Sequence, residues 1–380
     1  MDLAVADAHL TPNYARFAVD FVRGEGARLW DADGVEYLDF LAGISVSSVG
    51  HCHPAVVRAI REQAARLIHV GNLYYTEPMA RLAQRLAECS LRGKVFFTNS
   101  GTEAVEAALK CARKARPGGT MVALHGAFHG RTYGSLSVTP QESKQAPFAP
   151  LVGGTQTVPA TIDAIAAAID EHTAALILEP IQGETGVHVL PDELLHAARQ
   201  CCDATGAALI FDEIQTGLGR TGTAWAYQQT GVIPDLLCTA KALGGGLPIG
   251  ALITGPRHAD TFAPGDHGST FAGGPVVCAA AHAALDVLLD EALLSRVHEL
   301  GELVRSSLET LPHVTAVRGR GLMIAFDVDV DATEVVRRLL FEQRLVANAT
   351  GPATVRLLPP LVIGEEDARA ALDRIAAVLA

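Results

Sequence analysis

Between residues 95 and 255 the chain repeats one pattern: a short, wholly apolar run that stops at small polar or charged residues, then a stretch of helical spacing. Val95-Phe96-Phe97 stops at Thr98-Asn99-Ser100-Gly101-Thr102, and Met121-Val122-Ala123-Leu124 stops at His125-Gly126. Ala175-Leu176-Ile177-Leu178 stops at Glu179, Ala208-Leu209-Ile210-Phe211 at Asp212, and Leu236-Leu237-Cys238 at Thr239-Ala240-Lys241. Runs without alternation are strands buried on both faces, and their alternation with helices predicts an α/β fold whose mostly parallel sheet is covered on both sides. In such sheets the ligand-handling residues gather where the strands end. The chemistry is therefore expected on these stops.

Lys241 is the most informative of them. Lys110 and Lys114 continue an i, i+4 ladder from Glu106, the wet face of a helix. Lys94 lies at the wrong end of its strand, and Lys144 sits in a polar loop, Gln141-Glu142-Ser143-Lys144-Gln145. Only Lys241 has an apolar approach able to desolvate an amine and lower its pKa to that of a nucleophile. The competing reading is a buried lysine in an ion pair.

The other stops fall into the same two kinds of reading. Ser100, Gly101 and Thr102 open a helix whose apolar face is Val105, Ala108, Leu109 and Ala112, so they offer an anion site at the positive helix end, or an ordinary N-cap with Thr102 capping. Phe128 and Arg131, beside glycines, suit a flat ring and a carboxylate, or else the core and the surface. Asp212 follows a wholly apolar strand and needs a positive or hydrogen-bonding partner to stay ionised. Taken together, an anion cup, a ring partner, a buried carboxylate and a desolvated lysine match the phosphate, ring face, pyridinium nitrogen and aldehyde of pyridoxal 5'-phosphate.

Around this core the chain divides into an N-terminal segment, 1–45, expected to pack with a small domain; a large cofactor-binding domain, 46–280; and a C-terminal small α+β domain, 281–380. A net charge of -12 argues against nucleic acid or an anionic membrane surface as partner. No apolar run approaches the roughly 18 residues of a membrane span. Met1–Asp7 has no basic region before its apolar residues, so no secretory leader is expected and a cytoplasmic location is. The scattered cysteines read as reduced core thiols. His51-Cys52-His53 reads as a turn before a helix opened by Pro54, and no metal site is expected.

With these residues in view, the chain resembles the class III, fold type I aminotransferases that depend on pyridoxal phosphate, and most closely the acetylornithine aminotransferases. The segments GEGARLWDADG, GHCHP, TNSGTEAVEAALK, FHGRT, EPIQGE, DEIQTGLGRTG, KALGGGLPIGA, HGSTFAGGP and VRLLPPL carry the resemblance over essentially the whole chain.

The resemblance implies that Lys241 bonds the cofactor aldehyde, Asp212 pairs with the ring nitrogen, Gln215 lies near the ring hydroxyl and Phe128 stacks on the ring. Ser100, Gly101 and Thr102 are expected to hold the phosphate. Thr270 is implied to reach the phosphate in a neighbouring subunit, so a homodimer is expected. Arg131 should grip the α-carboxylate of donor and acceptor, and Arg356 the side-chain carboxylate of glutamate or 2-oxoglutarate. Glu184 should pair with Arg356 when the donor lacks that carboxylate. Tyr14 falls where relatives contact substrate, and Ile44, apolar where ornithine aminotransferases carry tyrosine, favours an acylated donor. Thr185 and Gly274 depart from residues common in the family.

The implied reaction is ping-pong exchange of N-acetylornithine and 2-oxoglutarate, in arginine biosynthesis. 4-Aminobutyrate, ornithine, succinylornithine and acylated lysine-pathway donors remain alternatives, as does a non-catalytic binding protein. The lack of G-x-G-x-x-G after any strand argues against a nicotinamide-dependent dehydrogenase.

Overall fold

The apolar runs form one seven-stranded sheet in the order Val95–Thr98, Gly250–Thr254, Leu236–Thr239, Ala208–Asp212, Thr173–Leu178, Thr120–Leu124, Thr155–Val158. The structure is a computed structural model describing residues 3–380; the first two positions of Met1–Asp7, read above as lacking a leader, lie outside the described residues. Every strand is parallel to its fellows except Gly250–Thr254, which runs antiparallel to both neighbours. The reversal has a local cause. No crossover helix separates Leu236–Thr239 from Gly250–Thr254, and Gly245 and Gly246, at φ 58° and 113°, turn the chain straight back.

Within each central strand alternate residues serve opposite layers. Leu176, Leu178, Leu209, Phe211 and Leu237 join one buried cluster, while Ala175, Ile177, Ala208, Ile210 and Leu236 join another under the helix Gly101–Ala115. That helix buries Val105, Ala108, Leu109 and Ala112 as its spacing predicts. Each fully buried leucine or isoleucine here contributes roughly 1.5–3 kcal/mol, which makes the sheet a rigid base for its strand ends.

Two further sheets flank this base. Near the amino end, Phe21–Glu25, Arg28–Asp31 and Glu36–Asp39 form an antiparallel ribbon, to which Leu345–Val346 adds in parallel. Asp31 closes the Asp-Gly turn, its Oδ1 accepting from Asp33 N at 3.0 Å and Val35 N at 2.9 Å. After the helices Pro275–Leu288 and Glu291–Leu308 comes an antiparallel sheet ordered Val314–Arg320, Met323–Val328, Thr354–Leu357, Asn348–Gly351, and then the helix Glu365–Leu379.

The segment between ribbon and first long helix holds a turn with no sequence signal. Ala42, Gly43, Ile44 and Ser45 all have positive φ, from 50° to 68°, a left-handed turn that costs roughly 1–2 kcal/mol per residue with a side chain. Asp39 Oδ1 starts it by accepting from Leu41 N and Ala42 N, each at 2.9 Å. Leu358 N donates to Phe40 O and Leu361 N to Ser48 O, both at 2.7 Å, so the turn is clamped from both sides. Buried Arg220 completes the clamp. It donates to Leu322 O at 3.0 Å, Pro359 O at 2.7 Å and Ser48 Oγ at 2.9 Å; burial pushes its pKa down to about 9, against the pull of Asp39.

The histidines beside Cys52 have separate partners. His51 Nε2 lies 2.7 Å from Asp39 Oδ2, and His53 Nδ1 accepts from Ala55 N at 3.3 Å, capping the helix Pro54–Ala64. No cluster of metal-ligating side chains occurs among the described residues.

Candidate active site

The strand ends open into one cavity of about 480 Å³, whose walls include Ser100, Gly101, Thr102, Phe128, Arg131, Glu184, Asp212, Gln215 and Lys241. Nine of the thirteen residues singled out in the sequence thus share one space. Lys241 comes one residue after Leu236–Thr239 and sits at φ 40°, a strained value for a side-chain-bearing residue. Burial lowers the pKa of its amine, opposed by Glu184 and Asp212 and reinforced by Arg356.

At the far wall the helix Gly101–Ala115 points its amino end into the cavity. The cap is Ser100, not Thr102: Ser100 Oγ accepts from Glu103 N at 3.3 Å. The Thr102 hydroxyl is instead knitted to Thr132 Oγ1 at 2.9 Å and Ser135 Oγ at 2.6 Å. Gly130, at φ 134°, packs against this cluster so closely that a Cβ there would collide with both hydroxyls of Thr102 and Ser135.

Asp212 already has a protein partner that sequence reading missed. Its Oδ2 lies 2.8 Å from His129 Nδ1, while Oδ1 accepts from Ile214 N at 3.1 Å. His129 is fully buried beside Phe128, and its Nε2 has no partner among the described residues. The signal was present, a histidine one residue past the candidate ring partner. Glu179, read above only as a strand stop, was given no role. It accepts from Phe128 N at 2.8 Å and Gly183 N at 3.2 Å, fastening the ring-partner loop to the segment bearing Glu184. Burial pushes the Glu179 carboxyl up, and Asp212 adds to that while His129 opposes it.

Arg356 is fully buried behind Glu184. Its Nη1 donates to Glu184 Oε1 at 2.8 Å, Gly183 O at 3.0 Å and Gln215 Oε1 at 3.3 Å, and its Nε to Asn348 Oδ1 at 3.2 Å. Burial would raise the Glu184 pKa, but Arg356 and Lys241 overcome it and hold the carboxyl down at about 2. Glu184 is thus an ionised latch across the guanidinium.

Three other residues stand off this cavity. Tyr14 is 70% exposed, Thr270 is exposed, and Ile44 packs beside Leu41 and Val189 against Ile181 and Met323. The apolar residue of that turn segment facing the cavity is Val46. Thr185, a departure from the family, donates its hydroxyl to Gly126 O at 3.2 Å. Beyond the mouth, Lys144 brings its ammonium to 5.8 Å from the Phe128 ring centroid, near Arg131, whose guanidinium carbon is 5.6 Å from it.

A lysine, a carboxylate and an open helix end on the stops of a largely parallel sheet define an α/β enzyme of the fold type I, pyridoxal-phosphate-dependent kind. The chain belongs to the class III aminotransferases, whose family model matches residues 10–379. It is 48% identical to the acetylornithine aminotransferase of Methanopyrus kandleri, over 98% of this chain and 97% of that one. Among solved structures it resembles the ornithine aminotransferase of Toxoplasma gondii ME49, with a TM-score of 0.95 and 36% identity over 99% of this chain and 94% of the other. It also resembles the acetylornithine aminotransferase of Elizabethkingia anophelis, with a TM-score of 0.87 and 34% identity over 99% and 97% of the two chains. The chain is therefore a pyridoxal-phosphate-dependent aminotransferase.

Proposed function

We propose that the enzyme moves the δ-amino group of N-acetylornithine to 2-oxoglutarate by a ping-pong route, giving N-acetylglutamate 5-semialdehyde and glutamate. The observation that carries this reading is the Arg356–Glu184 pair, at 2.8 Å and next to Lys241. A carboxylate on the reacting carbon lies within two bonds of it, so the arginine near Lys241 suits the α-carboxylate of glutamate, whose α-amine reacts. N-Acetylornithine reacts at its δ-carbon and brings no charge there; Glu184 then keeps Arg356 paired. Arg131 suits the distal carboxylate of either substrate, the α-carboxylate of N-acetylornithine and the γ-carboxylate of glutamate. This exchanges the two carboxylates from the roles expected above, because Arg356 and its partner Glu184 both act on the Lys241 amine, while Arg131 sits beside the Phe128 ring.

The residues fit the cofactor. The helix end at Gly101–Thr102 suits the phosphate, the Asp212 carboxylate, held by His129, suits a protonated ring nitrogen, and Phe128 offers a ring face. Bound, the cofactor supplies an electron sink for the carbanion formed at the substrate carbon. Lys241, its amine pKa lowered by burial, is placed to take the proton from that carbon at Nζ and to return it two atoms along, past the amino nitrogen. Gln215, fixed by Glu184 and Arg356, orients the space beside the ring.

The working unit in this reading is a homodimer, and we divide each chain into 1–45, 46–280 and 281–380. Leu73, Tyr74 and Tyr75 are 91%, 64% and 96% exposed, and Phe271 next to Thr270 is 70% exposed. Asn72 Nδ2 ties the two stretches together, donating to Ser269 O and Ala272 O at 3.0 Å. An apolar surface of this kind suits a second copy. Sedimentation of Leu73→Asp should then show monomer where the parent shows dimer. No helix among the described residues is long and apolar enough to cross a membrane, and we place the enzyme in the cytoplasm.

A donor panel tests the substrate. N-Acetylornithine should exceed ornithine, succinylornithine, 4-aminobutyrate and acylated lysine in kcat/KM against 2-oxoglutarate. A higher value for any of the others would replace it.

A further inference from the structure

Lys144 was set aside in the sequence as part of a polar loop, and the catalytic scheme above does not use it. Its surroundings give it a job. The four-residue helix Glu142–Gln145 lies over the loop that carries Phe128 and Arg131. Gln141 anchors it there, its Nε2 donating to Ala127 O at 3.0 Å, while its Oε1 accepts from Lys144 Nζ. Its ammonium, at the end of a flexible stem, thereby rests on the Phe128 side of the loop.

Two cations consequently converge on one aromatic ring, Arg131 at 5.6 Å and Lys144 at 5.8 Å from the Phe128 centroid. Among the described residues neither forms an ion pair. The Arg131 side chain makes no hydrogen bond to them either; only its backbone N–H is engaged, with Thr102 Oγ1 at 3.2 Å. Two like charges held together without a counter-ion are unfavourable until an anion arrives between them. The Lys144 environment agrees: burial lowers its pKa, Arg131 lowers it further, and Glu184 across the cavity opposes both.

We propose that Lys144 is a second binding cation, which with Arg131 receives the substrate carboxylate farthest from the reacting carbon. The inference rests on the functional reading above, in which both substrates present that carboxylate at the same end. It follows that Lys144 serves both half-reactions alike, whereas Arg356 serves one. A guanidinium gives the carboxylate directional donors; the ammonium adds a charge on a flexible stem that can follow chains of different length. N-Acetylornithine and glutamate place their far carboxylates at different distances from the reacting carbon, so a mobile second cation matches the task.

The experiment uses the holoenzyme and three variants, Lys144→Met, Lys144→Glu and Lys144→Arg. Lys144→Met should raise KM for N-acetylornithine and for 2-oxoglutarate by similar factors, about 5- to 30-fold, with kcat changed far less. Lys144→Glu should exceed it and Lys144→Arg should restore both constants to within about threefold of the parent. Calorimetric binding of glutarate, which has no amine to react, should weaken by the same factor as KM. KM values within twofold of the parent in both Lys144→Met and Lys144→Glu would overturn the assignment, and so would a rise confined to one substrate. If the parent enzyme rejects N-acetylornithine but accepts 4-aminobutyrate, the donor reading has failed, and the same KM comparison on 4-aminobutyrate decides Lys144.

Discussion

Removing Arg356 separates the two half-reactions, and the structure sets the size of the effect. The guanidinium spends Nη1 on Glu184, Gly183 and Gln215 and Nε on Asn348, and makes no hydrogen bond through Nη2 to any described residue. A glutamate α-carboxylate displacing Glu184 would take two charge-assisted bonds, each worth about 1.5–3 kcal/mol. Allowing for water entering in its place, Arg356→Ala should cost the glutamate and 2-oxoglutarate half-reaction about 3–5 kcal/mol, two to three and a half powers of ten in rate constant over Kd. The N-acetylornithine half-reaction should lose less than about tenfold, since the substrate never touches this side chain.

Single-turnover runs with preloaded enzyme measure both. The donor bleaches the violet absorbance of the bound cofactor, and 2-oxoglutarate restores it. Breaking the Glu184 pair should also lower stability, by about 1–3 kcal/mol, because Glu184 keeps 25% of its side chain in solvent. A melting curve therefore accompanies each run, and Arg356→Lys provides a variant that retains the charge. Losses equal within threefold in the two half-reactions of a folded Arg356→Ala would refute the latch.

Lys241→Ala should take up pyridoxal phosphate that dialysis removes, and show no turnover; a rate within tenfold of the parent would remove Lys241 from the chemistry. Gly130→Ala forces a Cβ against the Thr102 and Ser135 hydroxyls at φ 134°, and should raise the cofactor Kd at least tenfold. Excess cofactor should rescue that variant, and unaltered affinity would count against the phosphate cup. For Glu184 the ordinary pKa of 4.5 falls to about 2 in the folded protein. The folded state therefore binds fewer protons than the unfolded one between those values. Its contribution, at most roughly 3 kcal/mol before allowing for exposure, is complete above about pH 5 and fades as pH falls toward 2. Glu184→Gln should flatten that part of the acid-unfolding curve, and a curve parallel to the parent would contradict the pairing.

What sequence made readable follows from where the physics is local. Strand stops are legible because an apolar run has to end before its first charged residue, and Lys241, Asp212 and Glu179 mark three such ends. The helix at Gly101 was readable from spacing, yet its cap was misread. Ser100 and Thr102 are both competent caps, and only packing against Thr132 and Ser135 shows which hydroxyl is already taken. His129 escaped because a histidine beside glycines is common, and its meaning arises from Asp212, 83 positions later. The turn at residues 42–45 was invisible for a different reason. Ala42, Ile44 and Ser45 have no preference for positive φ, so the conformation exists only because Asp39, Leu358 and Leu361 hold it. The resemblance put Ile44 near the substrate; the turn packs it on Ile181 and Met323 and puts Val46 on the cavity wall.

Arg220 draws its acceptors from residues 48, 322 and 359, which are far apart along the chain. During synthesis the seven-stranded sheet has all its strands once residue 254 has emerged, while this guanidinium still waits for two of its three acceptors. A nascent chain can thus be well ordered through its middle and yet have its strained turn unsupported. Catalytic competence should appear only after residue 359 has left the ribosome, later than spectroscopy reports a folded core.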